Sequence, residues 1–158
     1  MGRPLRDLRV SVTDRCNFRC RYCMPRERFG KEHKFLPKSN ILSYEEIQKF
    51  VTACKPLGLS KVRITGGEPL LRRDLPSLVR QISELGLEVA LTTNGSFLKR
   101  EASRLSEAGL DRVTISLDAI DQHLHSKITD SSVTVSDILE GIEEATICLL
   151  YTSDAADE

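Results

Sequence analysis

Cys16, Cys20 and Cys23 fall within eight residues, in the spacing Cys-x-x-x-Cys-x-x-Cys. Thiolates are soft ligands suited to zinc or to iron–sulfur chemistry. A structural zinc site takes four protein ligands, often as Cys-x-x-Cys pairs. A fourth ligand is missing nearby; the nearest candidate, His33, lies ten residues past Cys23. Three cysteines in one loop leave a metal position open, which is what a catalytic metal needs. An iron–sulfur cluster with one open site is therefore the favoured reading, and a non-catalytic zinc-binding module is the alternative. The odd total of five cysteines argues against a disulfide framework. Cys54 shares a helical stripe with Ile47, Phe50, Val51 and Leu57 and is expected in the core.

Three further motifs follow runs that read as strands. They are Thr65-Gly66-Gly67-Glu68-Pro69, Thr92-Thr93-Asn94-Gly95 and Ser116-Leu117-Asp118. Glycines let backbone approach a ligand closely, although a lone Gly-Gly pair more often marks a turn. The strands expected to carry these motifs are residues 8–13, 61–65, 88–92 and 112–117. A long loop at 14–42 holds the cysteines. Ser43 and Glu46 form the Ser-x-x-Glu signature of a capping box, opening a helix that Gly58 stops near residue 57. Apolar residues at helical spacing predict two more helices, closed by Gly86 and Gly109, and helical stretches near 121–128 and 134–146. Alternation of strand and helix implies βαβ units and a parallel sheet. All four chemical motifs then sit at the C-terminal strand ends, the rim where α/β active sites form.

The strands carry a second pattern. Side chains alternate between the faces of a sheet. Leu8, Val10 and Val12 share one face, leaving Arg9, Ser11 and Thr13 on the other. Arg63 and Thr65, Ala90 and Thr92, and Thr114 and Ser116 repeat the division. A parallel sheet covered by helices on both sides should be apolar on both. One polar face in four strands fits helices on one side and a ligand cavity on the other, as in a barrel or half-barrel.

The cysteine motif, with Tyr22 before its last cysteine, resembles the signature of the radical S-adenosylmethionine (SAM) superfamily. The resemblance implies a 4Fe–4S cluster on Cys16, Cys20 and Cys23, whose open iron binds the amino and carboxylate groups of SAM. It implies cleavage of SAM to methionine and a 5′-deoxyadenosyl radical that abstracts a hydrogen atom. Residues 2–20 and 61–69 further resemble the branch of the superfamily that cyclises GTP at the start of molybdenum-cofactor synthesis. The matching positions imply SAM contacts at Tyr22, Gly67 and Ser116, and GTP contacts at Arg9, Arg63 and Thr92. The implied fold is α/β: the N-terminal portion of a partial (β/α)6 radical SAM barrel, with parallel strands and helices outside. The implied partners are GTP, an electron donor and, for the full-length parent, a second copy in a homodimer. The family pattern also has a second 4Fe–4S cluster and a C-terminal glycine pair. Neither is in this chain, which is expected to be inactive alone. Another radical SAM enzyme, peptide-modifying or of the heme pathway, is the alternative; the arginine pair favours a phosphorylated substrate.

Composition agrees with a folded enzyme domain. The chain has 158 residues, 40% of them hydrophobic and 29% charged, unlike a disordered segment. Net charge is zero, but residues 1–34 hold ten Lys/Arg against four Asp/Glu, which suits a phosphate-bearing ligand. No apolar run approaches the roughly 20 residues needed to span a bilayer, and no signal stretch opens the chain. A cytoplasmic protein with no nucleic-acid or membrane partner is expected. Residues 148–158, CLLYTSDAADE, break the helical pattern and read as an appended, non-native tail resembling a translated sequencing-library adapter. The expected organisation is a truncated domain over 1–147 followed by that tail.

Overall fold

The computed structural model describes residues 4–148 and the backbone of 151–152. Most of the expected tail lies outside the described residues.

Four strands form the body of the sheet: β1 (Asp7–Ser11), β2 (Lys61–Thr65), β3 (Glu88–Thr93) and β4 (Arg112–Ile115). A two-residue strand, β5 (Tyr151–Thr152), adds to β4. All pairings are parallel, in the order β1-β2-β3-β4-β5. An order that never reverses has no switch point. With right-handed crossovers, every connecting helix then falls on the same face. This settles what alternation alone leaves open: the sheet is wound in one direction, as a barrel wall is.

Among the described residues six α-helices accompany it. A short α1 (Arg26–Phe29) lies inside the cysteine loop, followed by α2 (Tyr44–Cys54), α3 (Leu75–Ser83), α4 (Leu98–Glu107), α5 (Gln122–Thr129) and α6 (Val135–Ile147). The capping box forms as expected: Glu46 N donates to Ser43 Oγ at 3.1 Å and Ser43 N donates to Glu46 Oε2 at 2.7 Å. Cys54 closes α2, and a 3-10 turn at Lys55–Leu57 ends at Gly58, whose φ of 96° suits a residue without Cβ. Strands β1 and β4 stop short of the expected 13 and 117. Beyond β1 the backbone still holds register through Val12 N, which donates to Thr65 O at 2.9 Å.

The core fills the space between the helices and one sheet face. Val62, Ile64, Val89, Leu91 and Val113 meet Val51, Leu78, Ile82, Leu98 and Leu105, all fully buried. Cys54 belongs to this core. Phe50 and Leu57, expected on the same stripe, are exposed instead. Phe50 sits about 100° around the helix from Val51, on the solvent side of the stripe that Ile47, Val51 and Cys54 bury. Leu57 lies past the end of α2, where the helical period no longer applies. At the outer edge of β4, β5 pairs with Arg112 and Val113.

Candidate active site

The other face of the sheet is polar, as the alternation predicts, and its residues line up in rows. Arg9 is the register partner of Arg63, Arg63 of Ala90, and Ala90 of Arg112. Neighbouring parallel strands lie about 4.8 Å apart, so Arg9 and Arg63 project side by side from one face. In the row nearer the strand N-termini Glu88 pairs with Lys61 at 3.2 Å, and it also reaches Arg112 of the arginine row at 3.6 Å. The row nearer the C-termini is hydroxyl-bearing, with Ser11 opposite Thr65 and Thr92 opposite Thr114. Thr92 Oγ1 is buried with no hydrogen-bond partner among the described residues. Ser116 continues the parity of β4 and is exposed at its end, its N–H donating to Thr93 O at 2.9 Å. Thr13 departs from expectation. It is buried, and its Oγ1 accepts from Arg15 N at 3.1 Å, so it builds the loop rather than lining the face.

The cysteine loop caps this rim. It is held from two sides. On one, the Thr65–Pro69 turn docks beneath it: Gly67 N donates to Thr13 O at 2.8 Å and Glu68 N to Arg15 O at 2.7 Å. A Cβ on Gly66 would stand 2.8 Å from Thr13 O, and one on Gly67 would overlap the Arg15 carbonyl. The glycine pair is therefore required by contact between two backbones. On the other side, Arg19 N donates to Thr129 O at 2.8 Å and Arg21 N to Ile128 O at 3.1 Å, tying the loop to the end of α5. Phe18 packs edge-on against the fully buried His125 of that helix, with 5.9 Å between ring centroids. Arg19 gathers the loop by donating to Cys16 O at 2.7 Å, Phe18 O at 2.8 Å and Phe29 O at 3.0 Å.

Cys16 and Cys20 are half-buried, and Cys23 is exposed. Burial pushes the Cys16 thiol up, against the Phe18 N–H that donates to Sγ at 3.4 Å. Cys20 is pushed up to about 11, first by burial, then by the Asp118 carboxylate and the Cys16 sulfur. The Cys16 sulfur thus acts on Cys20. Among the described residues, however, no three His, Cys, Asp or Glu side chains form a set for one metal ion. Zinc needs its thiolates gathered on a single atom. A 4Fe–4S cluster takes its thiolates on separate irons, and three thiols on one loop are donors of the right chemistry for it. His33 packs between Phe29 and Phe35, with 4.6 Å between centroids in each pair.

Two acidic residues that the sequence reading left unassigned organise the rim. Tyr22 OH donates to Asp118 at 3.0 Å, joining the cysteine loop to the end of β4. Burial and that hydrogen bond raise the Tyr22 hydroxyl above its ordinary range. Glu68 is fully buried and accepts three hydrogen bonds: Leu70 N at 3.0 Å, Thr93 Oγ1 at 2.8 Å and Asn94 N at 2.8 Å. Burial still outweighs these donors and holds its carboxyl above the usual carboxylate range. Its place in the Gly-Gly-Glu-Pro run is the only signal in the sequence that could have found it.

Residues 10–147 match the family model described as the Radical SAM superfamily. The chain is 53% identical over 147 residues to a GTP 3′,8-cyclase of Acidothermus cellulolyticus, covering 92% of this chain and 41% of that protein. It is 50% identical over 148 residues to a GTP 3′,8-cyclase of Staphylococcus aureus strain JH9, covering 92% of this chain and 44% of the relative. The chain thus spans less than half the length of these curated relatives. In fold it is similar to Streptococcus suis SuiB bound to S-adenosylmethionine, with a TM-score of 0.77 at 20% identity, over 96% of this chain and 33% of that one.

Proposed function

Because this chain belongs to the radical SAM superfamily, we propose that it forms the cluster- and SAM-binding portion of a GTP-cyclising enzyme of molybdenum-cofactor synthesis. One observation carries the reading. Three thiols, the Gly-Gly-Glu-Pro turn and the ends of β3 and β4 meet on one rim, directly above a row with paired Arg9 and Arg63.

Cys16, Cys20 and Cys23 hold a 4Fe–4S cluster in this reading. With SAM, that cluster supplies the radical that removes a hydrogen atom from substrate. Tyr22, Gly67 and Ser116 are the proposed SAM-side residues. Gly67 acts by leaving room for the loop, and Tyr22 by its bond to Asp118 at the end of β4. Arg9 and Arg63 receive the triphosphate of GTP through charge-assisted hydrogen bonds, and Thr92 offers a hydroxyl without a protein partner. Glu88 engages Lys61 below them and Arg112 at the far end of the same row. The relatives' names support GTP as the substrate. A second cluster at the guanine base, an electron donor and a homodimer belong to the full-length enzyme in this proposal.

We further propose that residues 1–147 are a truncated radical SAM domain and that 148–158 are an appended, non-native tail. The family match and α6 both end at residue 147. Among the described residues no helix is long and apolar enough to cross a membrane.

Anaerobic reconstitution with iron and sulfide tests the cluster. The chain and its Cys54→Ala variant should become brown and bind SAM. Cys16→Ala, Cys20→Ala and Cys23→Ala should each lose the chromophore. Equal iron content in wild type and Cys20→Ala would sink the assignment, and colourless uptake of zinc alone would favour the zinc module.

A further inference from the structure

We infer that Asn94 is a positioning residue for the metal centre: its side-chain amide donates an N–H···S hydrogen bond to Cys16 and thereby sets the reduction potential of the cluster. The inference rests on the cluster reading above.

The orientation of Asn94 is fixed independently of the cysteine. Its backbone N–H is taken by the buried Glu68 carboxylate at 2.8 Å. Its side-chain oxygen accepts from Ser96 N at 3.0 Å and Ser96 Oγ at 2.7 Å. A backbone N–H can only donate, so the oxygen must face Ser96 and the amide nitrogen must face the other way. There Nδ2 stands 3.0 Å from Asn17 Oδ1 and 3.9 Å from Cys16 Sγ. Its two protons have these two acceptors. Asn17 is held in turn, donating from Nδ2 to Ser96 Oγ at 3.0 Å. The amide is thus clamped before any metal arrives, on a strand end different from the one that leads into the cysteine loop.

Cys16 receives a second donor, Phe18 N at 3.4 Å. Phe18 lies on the same loop and moves with it. Asn94 does not, so its bond also fixes the loop against β3. Hydrogen bonds to cluster sulfurs stabilise the more negative, reduced state and raise the potential.

The test compares wild type, Asn94→Ala and Asn94→Asp after reconstitution. Both variants should show a more negative midpoint potential at wild-type iron content, with Asn94→Asp shifted further because it also adds a charge. A second measurement uses the wild-type chain labelled with 15N-asparagine. Pulsed electron paramagnetic resonance of its reduced cluster should show a weak 15N coupling. Unchanged potentials in both variants, or absence of that coupling, overturn the role of Asn94 while leaving the cluster in place. If wild type takes up no cluster, the parent reading fails and this inference falls with it. If the variants load no iron, the 15N coupling in wild type decides.

Discussion

Gly67 lies against the carbonyl of Arg15 with no room for a Cβ between them, so the turn after β2 and the loop entering Cys16 are one packed unit. The neighbouring Glu68 N–H completes it by donating to that same carbonyl at 2.7 Å.

Gly67→Ala therefore acts on the loop. Overpacking of this kind costs about 1–3 kcal/mol, and more where backbone cannot yield. The urea midpoint should fall and iron uptake on reconstitution should fall with it. Wild-type values for both would show that the loop can move aside without cost.

Glu68→Gln tests the buried carboxyl. Its folded value is raised above the ordinary value of about 4.3. The folded state therefore binds the proton more tightly than the unfolded chain. Its stabilising share is complete below the ordinary value and is lost as pH rises through the raised one. The unfolding free energy of wild type minus that of Glu68→Gln should decline from pH 4 upward. A difference that grows with pH would reverse the sign assigned here.

His125 is fully buried, and neither ring nitrogen has a hydrogen-bond partner. A neutral imidazole still carries one N–H donor, and leaving it unpaired costs about 1–3 kcal/mol. His125→Phe keeps the edge-on contact with Phe18 and removes the orphan. Chemical denaturation should find the variant more stable by that amount. A loss of stability would mean that the imidazole has a partner, such as a bound water.

Arg9→Ala and Arg63→Ala test the substrate. In a protein carrying this segment at the relatives' full length, each should weaken GTP binding by about 1.5–3 kcal/mol, the range for hydrogen bonds to charged groups. SAM cleavage should largely survive. Calorimetry with unchanged GTP affinity in both variants would point to a different substrate.

The sequence alone determined the order of the main strands and helices, the rim and the polar face, because each signal is local. Three cysteines at fixed spacing are legible as a candidate ligand set without reference to the rest of the chain. Period-two alternation put Arg9 and Arg63 on one face, and the strand ends placed every motif on one side. Only the tertiary structure decided how the rim is held. Glu68 reads as an ordinary acidic residue until it meets Thr93 and Asn94, 25 and 26 positions away. Tyr22 and Asp118 are 96 positions apart, and Asn94 is 78 from Cys16. The support of the cysteine loop by α5 is equally remote, linking Arg19 to Thr129. Hydrophobic periodicity tells which face a side chain takes, but not which distant group it will find there. That follows from strand order and register, which exist only once the chain has folded.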